Sequence, residues 1–317
     1  MTNEFDLISR YFNPLAGPEG LGLNDDAACV SQSSSLDSII TKDLLIEGVH
    51  FRSLDPVNLI AHKALAVNVS DCIAKGAKPN LYWLGLALPK NTNESWFAEF
   101  SGGLDLAQRS FGCKLAGGDT TATNGPKVIS LTLMGAVAAG AMITRSGASD
   151  GDNLYVTGTL GDAALGLWCL ENNSLTYTSL VDAYQRPIPP VAFGQGLEGI
   201  ASASADISDG LIADAGHIAS SSGMAITIWR DRLPMSQQAR QLTQKNQKLL
   251  PLVWAGGDDY QIVFTAPEAE HNNLEKLAKF SGVSIAHIGK VSAGHGVQLL
   301  DQNAEIVQVT SGGYTHF

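Results

Sequence analysis

Hydrophobic positions along the chain follow two different periods. Apolar or β-branched runs of strand length occur at 39–41, 81–88, 127–138, 153–157, 225–229, 260–265 and 283–291. Between them, apolar residues recur three or four positions apart, which predicts helices over 56–75, 94–111, 162–170, 211–221 and 268–280. The elements mix without strict βαβ alternation, so we expect an α+β fold in which helices pack on largely antiparallel sheets.

A domain boundary is predicted near 145–152, where small and polar residues separate two strong strand patterns. The chain has 317 residues, enough for two domains of roughly 100–200 residues each. We therefore expect a first domain over 1–147 and a second over 148–317.

The charge balance and the positions of the cysteines argue against several classes of protein. The chain carries 31 acidic against 20 basic residues, a formal charge of -11, so no basic footprint for nucleic acid is present. Cys29, Cys72, Cys113 and Cys169 lie far apart, which argues against a zinc site or a disulfide scaffold. An acidic start and the lack of an apolar run of about 18 residues predict a cytoplasmic protein without a membrane partner.

Aspartates lie beside turn residues at five places in the sequence. These are "LNDDAA" (Asp25, Asp26), "IITKD" (Asp43), "NVSDC" (Asp71), "AGGDTT" (Asp119) and "ADISDGLIADAGH" (Asp206, Asp209, Asp214). A strand through "IITKD" would point Thr41 and Asp43 to one face and Lys42 to the other. Thr41 and Asp43 therefore suit a paired set of ligands.

Each aspartate alone also fits a turn or a helix N-cap, and Asp214 is expected to be a solvated acid in a first helical turn. Together they suggest more, because two carboxylates about 5 Å apart repel by roughly 3 kcal/mol at an effective dielectric of about 20. Several in one cleft need a cation. Oxygen ligands without nearby His or Cys favour Mg2+, which commonly bridges phosphates. The residues thus predict a site for metal and polyphosphate.

The familiar nucleotide motifs do not explain such a site. The sequence contains no GxxxxGK[ST] loop and no protein-kinase motif set. A GxGxxG pattern occurs at Gly194, Gly196 and Gly199, but it lies in a helical pattern after a proline-rich stretch. Close helix packing is the better interpretation of these glycines.

Taken in order, the motifs resemble those of the thiamine-monophosphate kinase family, in the superfamily of aminoimidazole ribonucleotide synthetase and selenophosphate synthetase. The resemblance covers nearly the whole chain, including "TKDLLIEGVHF", "KALAVNVSDCIAKGAKP", "TRSGASDGDNLYVTGTLGDAALGL", "AGGDDYQIVFT" and "GGYTHF". It implies an N-terminal α/β domain that dimerises through a mixed sheet and a C-terminal α+β domain, with ATP between them. The implied reaction transfers the γ-phosphoryl group of ATP to thiamine monophosphate, with several Mg2+ ions and no general base.

The resemblance also implies roles for individual residues. The implied magnesium ligands are Asp26, Thr41, Asp43, Asp71, Asp119, Asp206 and Asp209. The implied ATP contacts are Gly118, Asp119, Arg145 and Ser208. The implied contacts to thiamine monophosphate are His50, Asp258 and Tyr314. Without the resemblance, His50 would be a satisfied histidine at a strand end, Ser208 a helix cap, Arg145 a surface residue and Tyr314 a core residue.

Several positions depart from the family pattern. Lys42 stands where a second hydroxyl residue is usual, Asn24 replaces glycine, and Pro190 stands where arginine is common. Asp258 and Gln261 each replace a glutamate, and the Asp258 side chain is one methylene shorter.

Two other functions remain open at this point. One is another ATP-using activity of the superfamily, such as an aminoimidazole ribonucleotide synthetase-like ligase or a selenophosphate synthetase. The other is a non-catalytic, magnesium-dependent nucleotide sensor, suggested by Lys42 and the altered "GGDDYQ".

Overall fold

The computed structural model describes residues 13, 18–31, 35–309 and 312–314. Within these ranges the first half of the chain forms a five-stranded sheet in the order β1-β2-β5-β3-β4. Its strands are β1 (Ala28–Ser31), β2 (Leu36–Ile46), β3 (Lys78–Pro89), β4 (Lys114–Thr123) and β5 (Val128–Ala138). Neighbouring strands are antiparallel except β3 and β4, which run parallel.

The second half forms a six-stranded sheet in the order β11-β8-β10-β6-β9-β7. Its strands are β6 (Asn153–Thr157), β7 (Ala203–Asp206), β8 (Ala225–Trp229), β9 (Ile262–Ala266), β10 (Ile285–Ser292) and β11 (Gly296–Leu300). Four pairings are antiparallel, and β8 pairs in parallel with β11. The expectation of largely antiparallel sheets is therefore correct.

The α-helices of the described residues fall into two groups. The first sheet carries α1 (Val57–Ala74) and α2 (Glu94–Phe111). The rest are α3 (Asp162–Glu171), α4 (Thr178–Gln185), α5 (Val191–Gln195), α6 (Leu211–Ser222), α7 (Gln237–Lys245), α8 (Leu252–Ala255) and α9 (His271–Ser281). Single 3-10 turns cover Pro18–Leu23, Arg230–Arg232, Gln247–Leu249 and Glu268–Glu270.

Helix α1 is the centre of the molecule. It packs on β2, β3 and β5 of the first sheet and also contacts β7 of the second sheet, α4 and α5. Most of its residues are buried, because its sequence is apolar around nearly the whole circumference. Gly194 of α5 allows the close contact, since a Cβ there would lie 2.6 Å from the Ile73 carbonyl oxygen. This agrees with the packing interpretation of the GxGxxG pattern.

The predicted boundary near 145–152 lies between β5 and β6, in the connection between the two sheets. The division at residue 147 stays a prediction, because one hydrophobic cluster continues from the first sheet through α1 to Tyr155, Phe193 and Phe264. Among the described residues, the helices are too short or too polar to span a bilayer.

Candidate functional site

Carboxylates from distant parts of the chain meet beside α1. Asp26 precedes β1, Asp71 lies near the end of α1 and Asp206 ends β7, and one oxygen of each lies within 4.8 Å of the others. Asp43 of β2 is half-buried, but its Oδ2 atom is buried here and the charge of Asp26 acts on its carboxyl group. We call Asp26, Asp43, Asp71 and Asp206 the inner cluster. These four predicted ligands come together.

Strand alternation sets which side chains of β2 reach the cluster. Thr41 is buried and donates its hydroxyl to the Asn68 carbonyl oxygen and to Asn68 Oδ1 on α1, both at 3.3 Å. Lys42 points to the opposite face, where its ammonium donates to Ser130 Oγ at 2.7 Å. The predicted facing is confirmed, and the Lys42 side chain does not enter the inner cluster.

Burial shifts the pKa values of the carboxyl groups in the inner cluster. Burial raises the pKa of Asp206 to about 8, and the charge of Asp26 adds to the effect. Burial also raises the pKa of Asp43 to about 6 and holds the pKa of Asp71 well above its usual range. Asp26 is the exception, because Lys75 and Arg145 outweigh burial and lower its pKa. The four carboxyl groups, Asp26 included, therefore disfavour one another's charge, as expected of a group that binds a cation.

Two cations border the cluster. Arg145 Nη2 forms an ion pair with Asp26 Oδ1. Lys75 follows the end of α1, and its Nζ lies 2.6 Å from Asp26 Oδ2 and 3.0 Å from Asp25 Oδ1. The sequence reasoning assigned Arg145 and missed Lys75. A lysine at the buried end of a helix that is apolar all round must be paired, so the sequence at the end of α1 contained a usable signal.

Buried polar atoms without a hydrogen-bond partner are concentrated at this site. Among the described residues they are Asp43 Oδ2, Ser70 Oγ and Arg145 Nε, and the first two face the neighbouring carboxyl groups of Asp71 and Asp206. Asp26 Oδ2 accepts from Lys75 Nζ at 2.6 Å. Buried polar groups are normally satisfied, so a group of unsatisfied ones indicates a ligand. The mixture of carboxylate oxygens with one guanidinium nitrogen fits divalent cations together with phosphate.

Asp214 corrects one expectation. It is not solvated but 1% exposed, because its carboxylate accepts the backbone N–H groups of Asp209 and Gly210, at 3.2 and 3.1 Å. Burial raises its pKa well above the usual range. With Asp209 and His217 it forms a second group whose ligand atoms lie within 4.8 Å of one another. Asp214 thus shapes the turn that carries Asp209.

The last described residues reach the same turn. The backbone N–H of Tyr314 donates to the Asp209 carbonyl oxygen at 3.0 Å, and the Tyr314 side chain is 48% exposed. Tyr314 therefore lies at the rim of the site and does not close the core. Residues 315–317 of the "GGYTHF" motif lie outside the described residues.

The predicted residues Ser208 and Asp258 are also adjacent. The Asp258 N–H donates to the Ser208 carbonyl oxygen at 2.8 Å. The Asp258 carboxylate pairs with Lys63 Nζ at 2.7 Å and accepts the Tyr260 hydroxyl at 2.9 Å. Asp258 and Tyr260 both have positive φ, +71° and +48°, a conformation that costs energy and often marks functional loops. Lys63, on α1, is a second lysine that the sequence reasoning missed.

His50 occupies the turn after β2. Its Nδ1 accepts the backbone N–H of Ile46 at 3.0 Å, so the ring stabilises the turn. This is the satisfied histidine that the residues alone suggested. Its role toward a substrate stays a prediction.

Gly118 and Asp119 lie apart from the inner cluster within one chain. Gly118 shares a row of the sheet with Leu84, Leu131 and Asp43, so three strand spacings, roughly 14 Å, separate it from Asp43. Asp119 is in the next row, on edge strand β4, and is exposed. That row contains Leu44, which faces away from α1. We call Gly118 and Asp119 the β4 edge.

Comparisons with known proteins identify the family of the chain. Residues 24–137 match the family model "AIR synthase related protein, N-terminal domain". A thiamine-monophosphate kinase of Salmonella typhimurium is 38% identical over 99% of this chain and 98% of its own. The chain belongs to the thiamine-monophosphate kinase family. The mixed α/β fold of this family is thus shared over the full length of the chain.

Solved structures of the family superimpose closely. AaThiL complexed with AMPPCP and TMP has a TM-score of 0.89 and 32% identity, covering 99% of this chain and 97% of that chain. Thiamine-monophosphate kinase from Stenotrophomonas maltophilia K279a has a TM-score of 0.81 and 36% identity, covering 96% of this chain and 98% of that chain.

Proposed function

We propose that the protein phosphorylates thiamine monophosphate to thiamine diphosphate, with ATP as the phosphoryl donor. The observation that carries the proposal is the inner cluster, where buried carboxylates and the unsatisfied polar atoms around them come together from distant segments. Family membership supports the same conclusion, because the relatives are thiamine-monophosphate kinases and one was solved with AMPPCP and TMP.

The inner cluster, with Thr41 and Asp209, would hold several Mg2+ ions. Carboxylate and hydroxyl oxygens are the ligands that Mg2+ prefers, and no cysteine or histidine joins the three-carboxylate group in the described part of the chain. When bound, Mg2+ would supply positive charge that offsets the repulsion between the two anionic substrates.

The protein's own groups bind and orient the two substrates. Arg145 and Ser208 would contact the phosphates of ATP, Arg145 through its guanidinium, and the β4 edge of a second protomer would contact ATP as well. Asp258 and His50 would position thiamine monophosphate, and Tyr314 would offer its ring to the thiazolium. The attacking phosphate oxygen is mostly ionised at neutral pH, because the second pKa of a phosphate is about 6. A side-chain base is therefore unnecessary, and in-line positioning dominates.

The β4 edge supports a homodimer. Asp119 shares its sheet face with Leu44 and Trp83, which are 49% and 39% exposed, and apolar side chains on an open sheet face favour burial against a partner. A second protomer meeting this face could bring its own Asp119 to the ATP held by the first. The location in the cytoplasm stays a prediction.

Product analysis tests the proposal directly. Incubation with ATP, Mg2+ and thiamine monophosphate, followed by chromatography, is expected to give thiamine diphosphate and ADP in equal amounts. A superfamily ligase would release ADP without thiamine diphosphate, and a sensor would leave ATP intact. Either result would overturn the proposal.

A further inference from the structure

Lys75 is the least expected charge in the molecule. Its side chain is fully buried, and its Nζ contacts three oxygens: Asp26 Oδ2 at 2.6 Å, the Ser204 carbonyl oxygen at 2.7 Å and Asp25 Oδ1 at 3.0 Å. An ammonium group has three donors, so each can be used. A buried ammonium costs several kcal/mol unless it is paired, which means that its oxygen shell is essential to keeping it there.

The position of Lys75 joins the parts of the site. It follows α1 one helical turn after Asp71, and residues four apart share a helix face. Its contact with Ser204 reaches β7, two residues before Asp206. Asp25 in turn accepts the backbone N–H of Arg145 at 2.8 Å through its other oxygen. The ammonium therefore lies where three carboxylate-bearing segments converge.

The charge around Lys75 is unbalanced. Five carboxylates, of Asp25, Asp26, Asp43, Asp71 and Asp206, face two cations, Lys75 and Arg145. The formal excess is three negative charges with Lys75 and four without it. Loss of the ammonium would leave Asp26 more available to a divalent ion and increase the attraction for that ion.

We propose that Lys75 is a resident cation of the site, a positioning residue that neutralises Asp25 and Asp26 and thereby reduces the affinity of the inner cluster for Mg2+. This inference deepens the proposed function, because it concerns the same magnesium site. It predicts that Lys75 holds Asp26 in place before any metal binds. It also predicts that Mg2+ takes over the role of the ammonium group when Lys75 is removed.

The test is a titration of Mg2+ against thermal unfolding, without nucleotide or thiamine monophosphate. Lys75→Met is expected to unfold at a lower temperature than wild type in EDTA and to reach half of its Mg2+-induced shift at an approximately tenfold lower Mg2+ concentration. Well above saturation, tenfold tighter binding corresponds to about 1.4 kcal/mol of additional stabilisation. An unchanged or higher half-saturating concentration would overturn the proposal.

Two controls separate the local charge from other effects. Lys127→Met also removes one positive charge, but Lys127 lies just before β5 and pairs with Glu47 at 2.7 Å, so its Mg2+ response should equal that of wild type. Lys75→Arg keeps the charge and should not gain affinity. The same gain in Lys127→Met would assign the effect to net charge and contradict a specific role for Lys75.

Failure to fold is also informative. If Lys75→Met does not fold in EDTA, Lys75→Gln, which keeps a donor for the Ser204 carbonyl, undergoes the same titration. Should both variants stay unfolded in excess Mg2+, the ion does not replace Lys75 and the proposal is wrong. The titration involves no substrate, so absence of kinase activity would leave its outcome unchanged.

Discussion

The inner cluster and the β4 edge carry the same carboxylate group in opposite surroundings. Asp206 in the cluster is 2% exposed and its pKa is raised to about 8, whereas Asp119 lies exposed on an edge strand. Within one chain, α1 brings the carboxylates of the inner cluster together. Asp119 lies on the opposite face of the first sheet, which α1 does not cover. The proposed function predicts this difference: one chain would build the metal site, and a second copy would complete the ATP site.

The largest expected effect comes from the inner cluster. Asp206→Asn should lower turnover of thiamine monophosphate by about a thousandfold or more, because a ligand to the charge-neutralising ions is lost. Asp105→Asn, at a half-exposed aspartate on α2 that pairs with Arg109, should remain near wild type. Steady-state kinetics at saturating Mg2+ measures both, and a near wild-type rate for Asp206→Asn would contradict the assignment.

Mixing inactive variants sharpens the comparison between the two regions. Asp119→Asn and Asp206→Asn should each be inactive alone. If Asp119 acts on the partner's site, random subunit exchange should restore about a quarter of wild-type activity, because half of the dimers are mixed and each has one intact site. Asp71→Asn mixed with Asp206→Asn is the matched control and should stay inactive. No restoration in the first mixture would place Asp119 within its own chain's site.

The pH dependence of stability without metal should also differ between the regions. A buried carboxyl with a raised pKa holds its proton longer in the folded state, so its contribution is greatest at low pH and is lost as pH rises through about 6 for Asp43 and about 8 for Asp206. In EDTA, Asp43 and Asp206 together should add about 2 kcal/mol to the free energy of unfolding from pH 8 to pH 6. An opposing fall is expected from His62, His217 and His287, because burial lowers the pKa of each ring.

Urea unfolding at the two pH values measures this change. Asp206→Asn should remove much of the aspartate contribution to the free energy of unfolding and should stabilise the metal-free protein at pH 8. Asp119→Asn should give the same pH profile as wild type. Equal changes in the pH profile from Asp206→Asn and Asp119→Asn would show that the difference in burial between these two carboxyl groups is not the cause.

The smallest expected effect lies at the rim. Tyr314→Ala should raise KM for thiamine monophosphate about fivefold, since a partly exposed cation–π contact is worth roughly 1 kcal/mol, and should leave KM for ATP unchanged. Tyr314→Phe keeps the aromatic face and serves as the control. Equal increases in both KM values for Tyr314→Ala would show a general disturbance of the Asp209 turn.

The sequence predicts the elements that bury a regular apolar face. Helix α2 over Glu94–Phe111 and strand β6 over Asn153–Thr157 agree with their predicted ranges. Strand β4 was missed, because "KLAGGDTTAT" has almost no apolar alternation and lies at an exposed edge. Its strand conformation depends on pairing with β3, and Gly118 permits that pairing because a Cβ would collide with the Leu84 carbonyl. Such partners are not visible in a local pattern.

The site shows the same division. Thr41 and Asp43 were placed correctly by strand alternation, and the motif order identified the aspartates that meet in the inner cluster. Asp214 was expected in solvent because helix position alone cannot reveal burial beneath a turn. Lys63 and Lys75 were missed because their meaning depends on the acids that face them across the fold. Likewise, the distance between Asp119 and the inner cluster follows from the order of the strands in the first sheet, which a local sequence pattern does not reveal.

Anomalous scattering from Mn2+ tests the central claim most directly. A crystal of the protein with Mn2+, a nonhydrolysable ATP analogue and thiamine monophosphate should show metal peaks bound by oxygens of Asp43, Asp71 and Asp206, with phosphates of both substrates beside them. Metal and phosphates located elsewhere, with these carboxylates unliganded, would contradict the account.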